Sequence, residues 1–291
     1  RSHTRRRKMD RSLTNQTPDL SSADSELHLR ILAGHQAVLE QVDYFRANFG
    51  LTQSRWKGDG TRVTEVDETI SLKLFAALEK KFPLDDYCSE ESVETPEPIP
   101  LKGEFAWILD PVDGTNNYAV GVPECGISLG LLRDGLPVYG FIYDYGRDNL
   151  LQGGPKFGAI EGVCSVRASQ SLVNEKLTFC MHFPIPVKEL NSLSEALQIW
   201  RIRCPGSAAV GLANVATGRL DGCLEFRAKP WDCAAGYAIC EGAGARFRFI
   251  QDPAFPMQGF SPTMGPCPFR VGSEIFHQEV CQALKLADNQ A

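Results

Sequence analysis

The sequence predicts a layered α+β fold. Three observations carry this reading: two apolar stripes of helical period near the start, a hairpin signal in the middle, and an alternation of strand-like and helix-like segments after it. Antiparallel pairing ahead of the alternation argues against a doubly wound parallel sheet. At 291 residues the chain suffices for one large domain or two small ones. No internal repeat and no linker long enough to separate independent domains is present, which favours one.

In chain order, Leu27, Ile31, Val38, Val42, Phe45 and Phe49 form the first stripe, which stops at Gly50. After a polar turn, Lys57-Gly-Asp-Gly-Thr61, the second stripe runs Val66, Ile70, Leu74, Leu78 and Phe82 and halts before Pro83. Thr64 is its expected N-cap, with Asp67 three residues on as in a capping box. A Pro-rich connector, Thr95 to Pro100, leads to a short apolar strand, Phe105 to Leu109. Strands at Gly126–Leu132 and Val138–Tyr143 are joined by Arg133-Asp-Gly135, because Asp-Gly accepts the positive φ of a tight hairpin. Beyond Gly153-Gly-Pro155 the pattern is mixed. Strands are expected near Leu177–His182, Ile202–Cys204, Cys223–Phe226 and Arg246–Phe249. Helices are expected over Glu189–Trp200, Ala208–Thr217, Asp232–Glu241 and Glu274–Leu286.

Composition narrows the function. Hydrophobic content of 43% and charged content of 23% are those of an ordinary globular enzyme. A net charge of −6 gives the folded part no electrostatic reason to bind nucleic acid. Arg1, Arg5, Arg6, Arg7, Lys8 and Arg11 make the N-terminus locally basic. Residues 1–24 are expected to be a disordered tail, with a tether to nucleic acid or a membrane surface as the alternative. No run approaches a membrane span. The ten cysteines form no Cys-x-x-Cys pair, and the tail lacks an apolar signal core, so reduced thiols and a cytoplasmic location are expected. The five histidines show no ligand spacing, which disfavours a zinc hydrolase.

Residues 107–117, Trp-Ile-Leu-Asp-Pro-Val-Asp-Gly-Thr-Asn-Asn, carry the chemistry. An apolar strand runs into Asp110 and Asp113, and Gly114 and Thr115 then offer N–H groups at a helix start. Hard oxygen donors beside an anion-binding terminus suit a metal-assisted phosphate site. Glu90 and Asp232 are further candidates. Singly, Glu90 with Glu91 reads equally as a solvated pair, Asp110 as a strand-end turn former, and Asp232 as a first-turn carboxylate. Asp67 reads as a helix cap without any catalytic role.

Asp110-Pro-Val-Asp-Gly-Thr115 resembles the signature of the inositol monophosphatase family, among the lithium-sensitive Mg²⁺-dependent phosphatases. Trp231-Asp-Cys-Ala-Ala-Gly-Tyr-Ala-Ile-Cys-Glu241-Gly-Ala-Gly resembles its second signature. Val63-Thr-Glu-Val-Asp67, Glu90-Glu-Ser92 and Gly206-Ser-Ala-Ala-Val210 match in the same order, so the similarity spans roughly residues 27–285. The resemblance implies an αβαβα sandwich of the inositol monophosphatase and fructose-1,6-bisphosphatase type. A single phosphatase domain is expected over 25–288, with a metal-binding half to about residue 180 and a substrate half after it. Glu90, Asp110 and the Val112 carbonyl would hold one Mg²⁺. Asp110, Asp113 and Asp232 would hold a second, and Glu90 would help with a weaker third; Mn²⁺ is the alternative metal. Thr115 with Asp67 would take the proton of the attacking water, and the N–H groups of Gly114 and Thr115 would hold phosphate.

The same resemblance places Asp113, Gly206, Ser207, Ala208 and Glu225 around the alcohol. Glu225 lies seven residues before Asp232, although on residues alone it reads equally as an edge-strand surface group. The implied reaction is hydrolysis of inositol monophosphate, a small phosphorylated polyol, by a homodimer with no membrane or nucleic-acid partner. The alternatives are a sister activity on fructose 1,6-bisphosphate, a 3′-phosphoadenosine nucleotide or histidinol phosphate, or a non-catalytic scaffold. Arg227 and Lys229 depart from the pattern and would favour a second anionic group on the substrate. Asn116-Asn117-Tyr118 departs mildly beside the phosphate loop, and Gly158-Ala-Ile-Glu161-Gly162 lacks the usual Asn.

Overall fold

The computed structural model describes residues 24–56, 62–92, 95, 97–170 and 177–286. The tail expected over 1–24 lies outside the described residues except for Asp24, whose carboxylate caps the first helix by accepting from Leu27 N. The turn Lys57–Thr61 also lies outside them.

The elements run α1 (Ser25–Asn48), β1 (Ser54–Trp56), β2 (Arg62–Thr64), α2 (Glu65–Glu79), β3 (Asp86–Ser89), β4 (Ile99–Pro100) and β5 (Phe105–Asp113). They continue with α3 (Thr115–Val120), β6 (Gly126–Arg133), β7 (Leu136–Asp144), β8 (Asn149–Gly154), β9 (Gly158–Glu161), β10 (Cys164–Val166) and β11 (Thr178–Met181). Then follow α4 (Val187–Leu193), β12 (Arg201–Arg203), α5 (Ala208–Ala216), β13 (Gly222–Glu225), α6 (Pro230–Gly242), β14 (Arg246–Phe249), β15 (Gly259–Phe260), β16 (Phe269–Gly272) and α7 (Glu274–Leu284).

Two sheets form. The larger has seven strands in the order β10-β9-β8-β7-β6-β5-β3, antiparallel except for the β3–β5 edge. The smaller has five, β12-β11-β13-β16-β14, with β11 parallel to both its neighbours. Side chains of a strand alternate between faces, and β5 shows the result. Trp107 and Leu109 point into a core with α1 and α2, while Ala106 and Ile108 join a second core with α5, α6 and the small sheet. A third core packs α4 and α7 on the outer face of the small sheet through Leu193, Phe276 and Val280. The layers therefore read α1/α2, large sheet, α5/α6, small sheet, α4/α7, the expected αβαβα order. Close approach of α6 to the large sheet requires a strand residue without a side chain: a Cβ on Gly140 would lie 2.3 Å from Ala235 O.

The strands β8, β9, β10 and β16 lack a readable alternation and were not expected from the sequence. The helix expected over Glu189–Trp200 stops at Leu193 and yields to a 3₁₀ turn at Ala196–Gln198. The cysteines are all free, eight buried and two, Cys164 and Cys204, exposed. Among the described residues no helix is long and apolar enough to cross a membrane.

His277 on α7 is structural. Arg270 Nη1 donates to its Nδ1 at 2.8 Å, so the ring is neutral and its Nε2–H donates to Arg246 O at 2.8 Å. Burial, reinforced by Arg270 and Arg248, pushes its pKa down to about 4. The unfolded chain takes up that proton near pH 6.5, so this contribution is intact above about pH 6.5 and is lost as pH falls toward 4. The expected loss is on the order of 3 kcal/mol. Urea unfolding at pH 7 and pH 4.5 (chosen to bracket about 6.5) should show a smaller acid loss in His277→Gln than in the unsubstituted protein. Equal losses would refute the assignment.

Candidate metal and phosphate site

The site is assembled at one end of β5. Pairing with β6 slips by one residue between Asp110, opposite Ser128, and Asp113, opposite Gly126. In a regular strand, residues three apart face opposite sides; the extra residue of this bulge returns both aspartates to one side. Pro111, without an N–H, fits the gap in the ladder. The parallel edge ends with Ser89 beside Leu109, and Glu90 N donates to Leu109 O at 3.3 Å, so Glu90 follows the last rung next to Asp110. Asp232 enters from the first turn of α6, where its Oδ2 accepts from Lys229 N at 2.7 Å.

Carboxylate oxygens of Asp110, Asp113 and Asp232 lie within 4.8 Å of one another, close enough for shared ligation. Glu90, half-buried, stands outside that compact trio but acts on it. Burial and then the Glu90 charge, followed by Asp113 and Asp232, push the Asp110 pKa well up. Burial and the neighbouring carboxylates likewise raise Asp232. Asp113 is raised by burial against the pull of Ser207 and Ala209.

The trio fits a hard divalent cation. All its donors are oxygen, their mutual repulsion disfavours the ionised protein alone, and Asp113 Oδ1 is buried without a hydrogen-bond partner among the described residues. The Val112 carbonyl accepts from Thr115 Oγ1 at 2.9 Å and keeps a second lone pair, while Val112 N donates to Asp110 Oδ1 at 3.0 Å.

Asp67 sits beside this cluster as both cap and candidate base. Its Oδ2 accepts from Thr64 N at 2.8 Å and Thr64 Oγ1 at 2.5 Å, and its Oδ1 lies 3.4 Å from Thr115 Oγ1. Burial outweighs those hydrogen bonds, with help from Glu91 and Glu90, and raises its pKa to about 7. Gly114 precedes Thr115 at φ 84°, where a Cβ would meet Glu124 O at 2.9 Å and Ser207 Cβ at 3.1 Å. Only glycine suits that position.

On the other side, Ser207 caps α5 by accepting from Val210 N at 3.2 Å, and Ala209 N donates to Asp113 Oδ2 at 2.9 Å. Gly206 and Ala208 flank Ser207 on the same turn. Asn117 donates to Glu124 O and Pro205 O, both at 2.7 Å, and ties this turn to α3. Glu225 is buried at the end of β13 rather than exposed at an edge. Its Oε1 accepts from Phe226 N and Arg227 N, both at 2.8 Å. Arg227 is exposed, and Lys229 donates its Nζ to the Met264 carbonyl instead of offering it to a ligand.

His182 was not found from sequence, because its partner lies 43 positions away and no ligand spacing marks it. It follows β11 directly and places Nδ1 2.5 Å from Glu225 Oε2 as an ion pair. Burial works against its charge, but Glu225 prevails and raises its pKa to about 9. Glu225, in spite of burial, is held below the usual glutamate value by His182 and the two backbone N–H groups.

Residues 30–282 match the inositol monophosphatase family. The chain is 29% identical to a fructose-1,6-bisphosphatase/inositol-1-monophosphatase of Aquifex aeolicus, over 87% of this chain and 92% of that one. It is 31% identical to an inositol-1-monophosphatase of Synechocystis, over 79% and 81%. Among solved structures, the extragenic suppressor protein suhB of Bartonella henselae superposes with a TM-score of 0.76 at 26% identity, over 88% and 98%.

Proposed function

Because the chain belongs to the inositol monophosphatase family, we propose that it hydrolyses inositol monophosphate to inositol and phosphate with Mg²⁺, or Mn²⁺ in its place. The observation that carries this reading is the convergence of Asp110, Asp113 and Asp232, from β5 and α6, within 4.8 Å. Together with Glu90 and the Val112 carbonyl they would hold two or three ions. When bound, the ions would activate a water and stabilise the departing alkoxide.

The chain's own groups do the rest. Thr115 Oγ1 lies between Val112 O and Asp67 Oδ1, and Asp67, with a pKa near 7, suits acceptance of a proton from the attacking water at neutral pH. The N–H groups of Gly114 and Thr115 hold phosphate oxygens. Asp113, the Gly206-Ser207-Ala208 turn and Glu225 meet the alcohol.

A bisphosphate substrate is the second reading. A groove of about 560 Å³ beside Asn117 and Val210 is lined by Arg147, Arg203 and Arg219. Two of these are already engaged, Arg147 with Asp144 and Arg219 with Glu161, which leaves the reading second. A phosphate-release assay across inositol 1-phosphate, fructose 1,6-bisphosphate, a 3′-phosphoadenosine nucleotide and histidinol phosphate separates them. The expected outcome is a kcat/KM highest for inositol 1-phosphate, abolished by chelation, restored by Mg²⁺ and inhibited by Li⁺. Metal-independent turnover, or preference for another ester, would overturn the reading. A homodimer is proposed with it, to be checked by light scattering.

A further inference from the structure

Glu225 is offered by its position as the acceptor for hydroxyls of the leaving alcohol, yet most of its acceptor capacity is taken. A carboxylate has about four lone-pair sites. Oε1 accepts two backbone N–H groups, and Oε2 faces His182 at 2.5 Å, with the two side chains only 5% and 12% exposed. Only Oε2, already beside the imidazolium, remains to meet a ligand. The imidazole is fixed against the next turn of α5 after Ser207: a Cβ on Gly211 would lie 3.4 Å from His182 Cε1. Nδ1 meets Glu225 as a close ion pair without hydrogen-bond alignment, and Nε2 is buried without a hydrogen-bond partner among the described residues. A buried orphan donor weakens the fold, which argues that the ring serves the site rather than stability. Both His182 and Glu225 act electrostatically on Asp113, so the pair belongs to the alcohol side of the phosphate site.

We infer that His182 is a specificity-determining residue: its ion pair with Glu225 presents a neutral wall to the leaving alcohol, which accepts one hydroxyl of a neutral polyol and turns away a cationic amino alcohol. This rests on the phosphatase reading above. A lone Glu225 carboxylate would instead attract an ammonium group, and its Oε2, no longer beside His182, would be less firmly placed for a hydroxyl. His182 acts through Glu225 and holds it in place.

The test compares the unsubstituted enzyme with His182→Gln, which removes the charge but keeps a polar side chain of similar reach, on three esters. These are inositol 1-phosphate, O-phosphoethanolamine as the cationic alcohol ester, and phenyl phosphate as an ester without hydroxyls. In His182→Gln, KM for inositol 1-phosphate should rise about tenfold and KM for O-phosphoethanolamine should fall about tenfold, the scale of one charged hydrogen bond. The kcat values and phenyl phosphate turnover should stay within about threefold, well inside that scale. If His182→Gln does not fold, His182→Asn serves the same comparison. An unchanged ratio between the two alcohol esters, with phenyl phosphate turnover retained, overturns the inference alone. An unsubstituted protein inert toward all three esters overturns the phosphatase reading, and this inference with it.

Discussion

Asp113→Asn is expected to lower phosphate release from inositol 1-phosphate on the order of 10³-fold while leaving the fold intact. Asp113 Oδ2 is positioned by Ala209 N, and Oδ1 is buried with no hydrogen-bond partner among the described residues. The amide keeps the shape and the Ala209 contact but replaces an anionic oxygen, or one of its lone pairs, in a site that needs hard negative donors. Losing about 4 kcal/mol of metal and transition-state stabilisation corresponds to about 10³ in rate. Stability should move the other way. Asp110, Asp113 and Asp232 repel one another, so removing one charge relieves the metal-free protein, whose melting temperature should stay level or rise. A chelated melt and a kcat measurement on the same preparation read both. Turnover within tenfold of the unsubstituted enzyme would remove Asp113 from the machinery, and a scaffold would show no turnover to lose.

Much of this site was legible because its residues lie close together in the chain. Asp110-Pro-Val-Asp-Gly-Thr115 holds two carboxylates, a bulge and a glycine turn into a helix in six positions, and the Thr64–Asp67 box announces itself by capping chemistry. Distance along the chain hid the rest. Nothing local shows that α6 brings Asp232 to β5, and only the resemblance suggested it. His182 was missed for the same reason, since a pair formed between the ends of β11 and β13 leaves no periodic trace. In the fold, the long helices and the Asp134-Gly135 hairpin were readable from period and turn chemistry. The strands β8 and β16 were not, because they are buried on both faces, which erases alternation, and β9, Gly158–Glu161, is too short to show any. At Lys229 the sequence shows the ammonium but not the Met264 carbonyl that receives one of its hydrogen bonds.

Arg30→Ala is expected to cost about 3–5 kcal/mol of folding stability, the range for breaking a buried ion pair by removing one partner. Arg30 reaches Asp85 with both arms of its fork, Nε at 2.9 Å and Nη2 at 2.7 Å, and both side chains are buried. Its guanidinium lies 4.0 Å from the Phe105 ring centre and 4.5 Å from that of Phe82, so α1 is fastened to the loop before β3 and to the start of β5. Without Arg30, Asp85 would keep the Trp107 indole N–H at 2.9 Å but would face the core as an anion without a counter-charge. Arg30→Lys cannot reproduce the two-armed contact or the stacking and should recover only part of the loss. The double variant Arg30→Met, Asp85→Leu should recover less than complete stability, because the Trp107 N–H then has no acceptor, at about 1–3 kcal/mol. The pair sits at the opening of β3, whereas Glu90 follows its far end, so KM and kcat per folded molecule should barely change. Urea unfolding of the unsubstituted protein, Arg30→Met, Asp85→Leu and the double variant forms a double-mutant cycle, and a coupling energy below about 1 kcal/mol, the level of an exposed pair, would show that this ion pair does not secure α1 to the sheet.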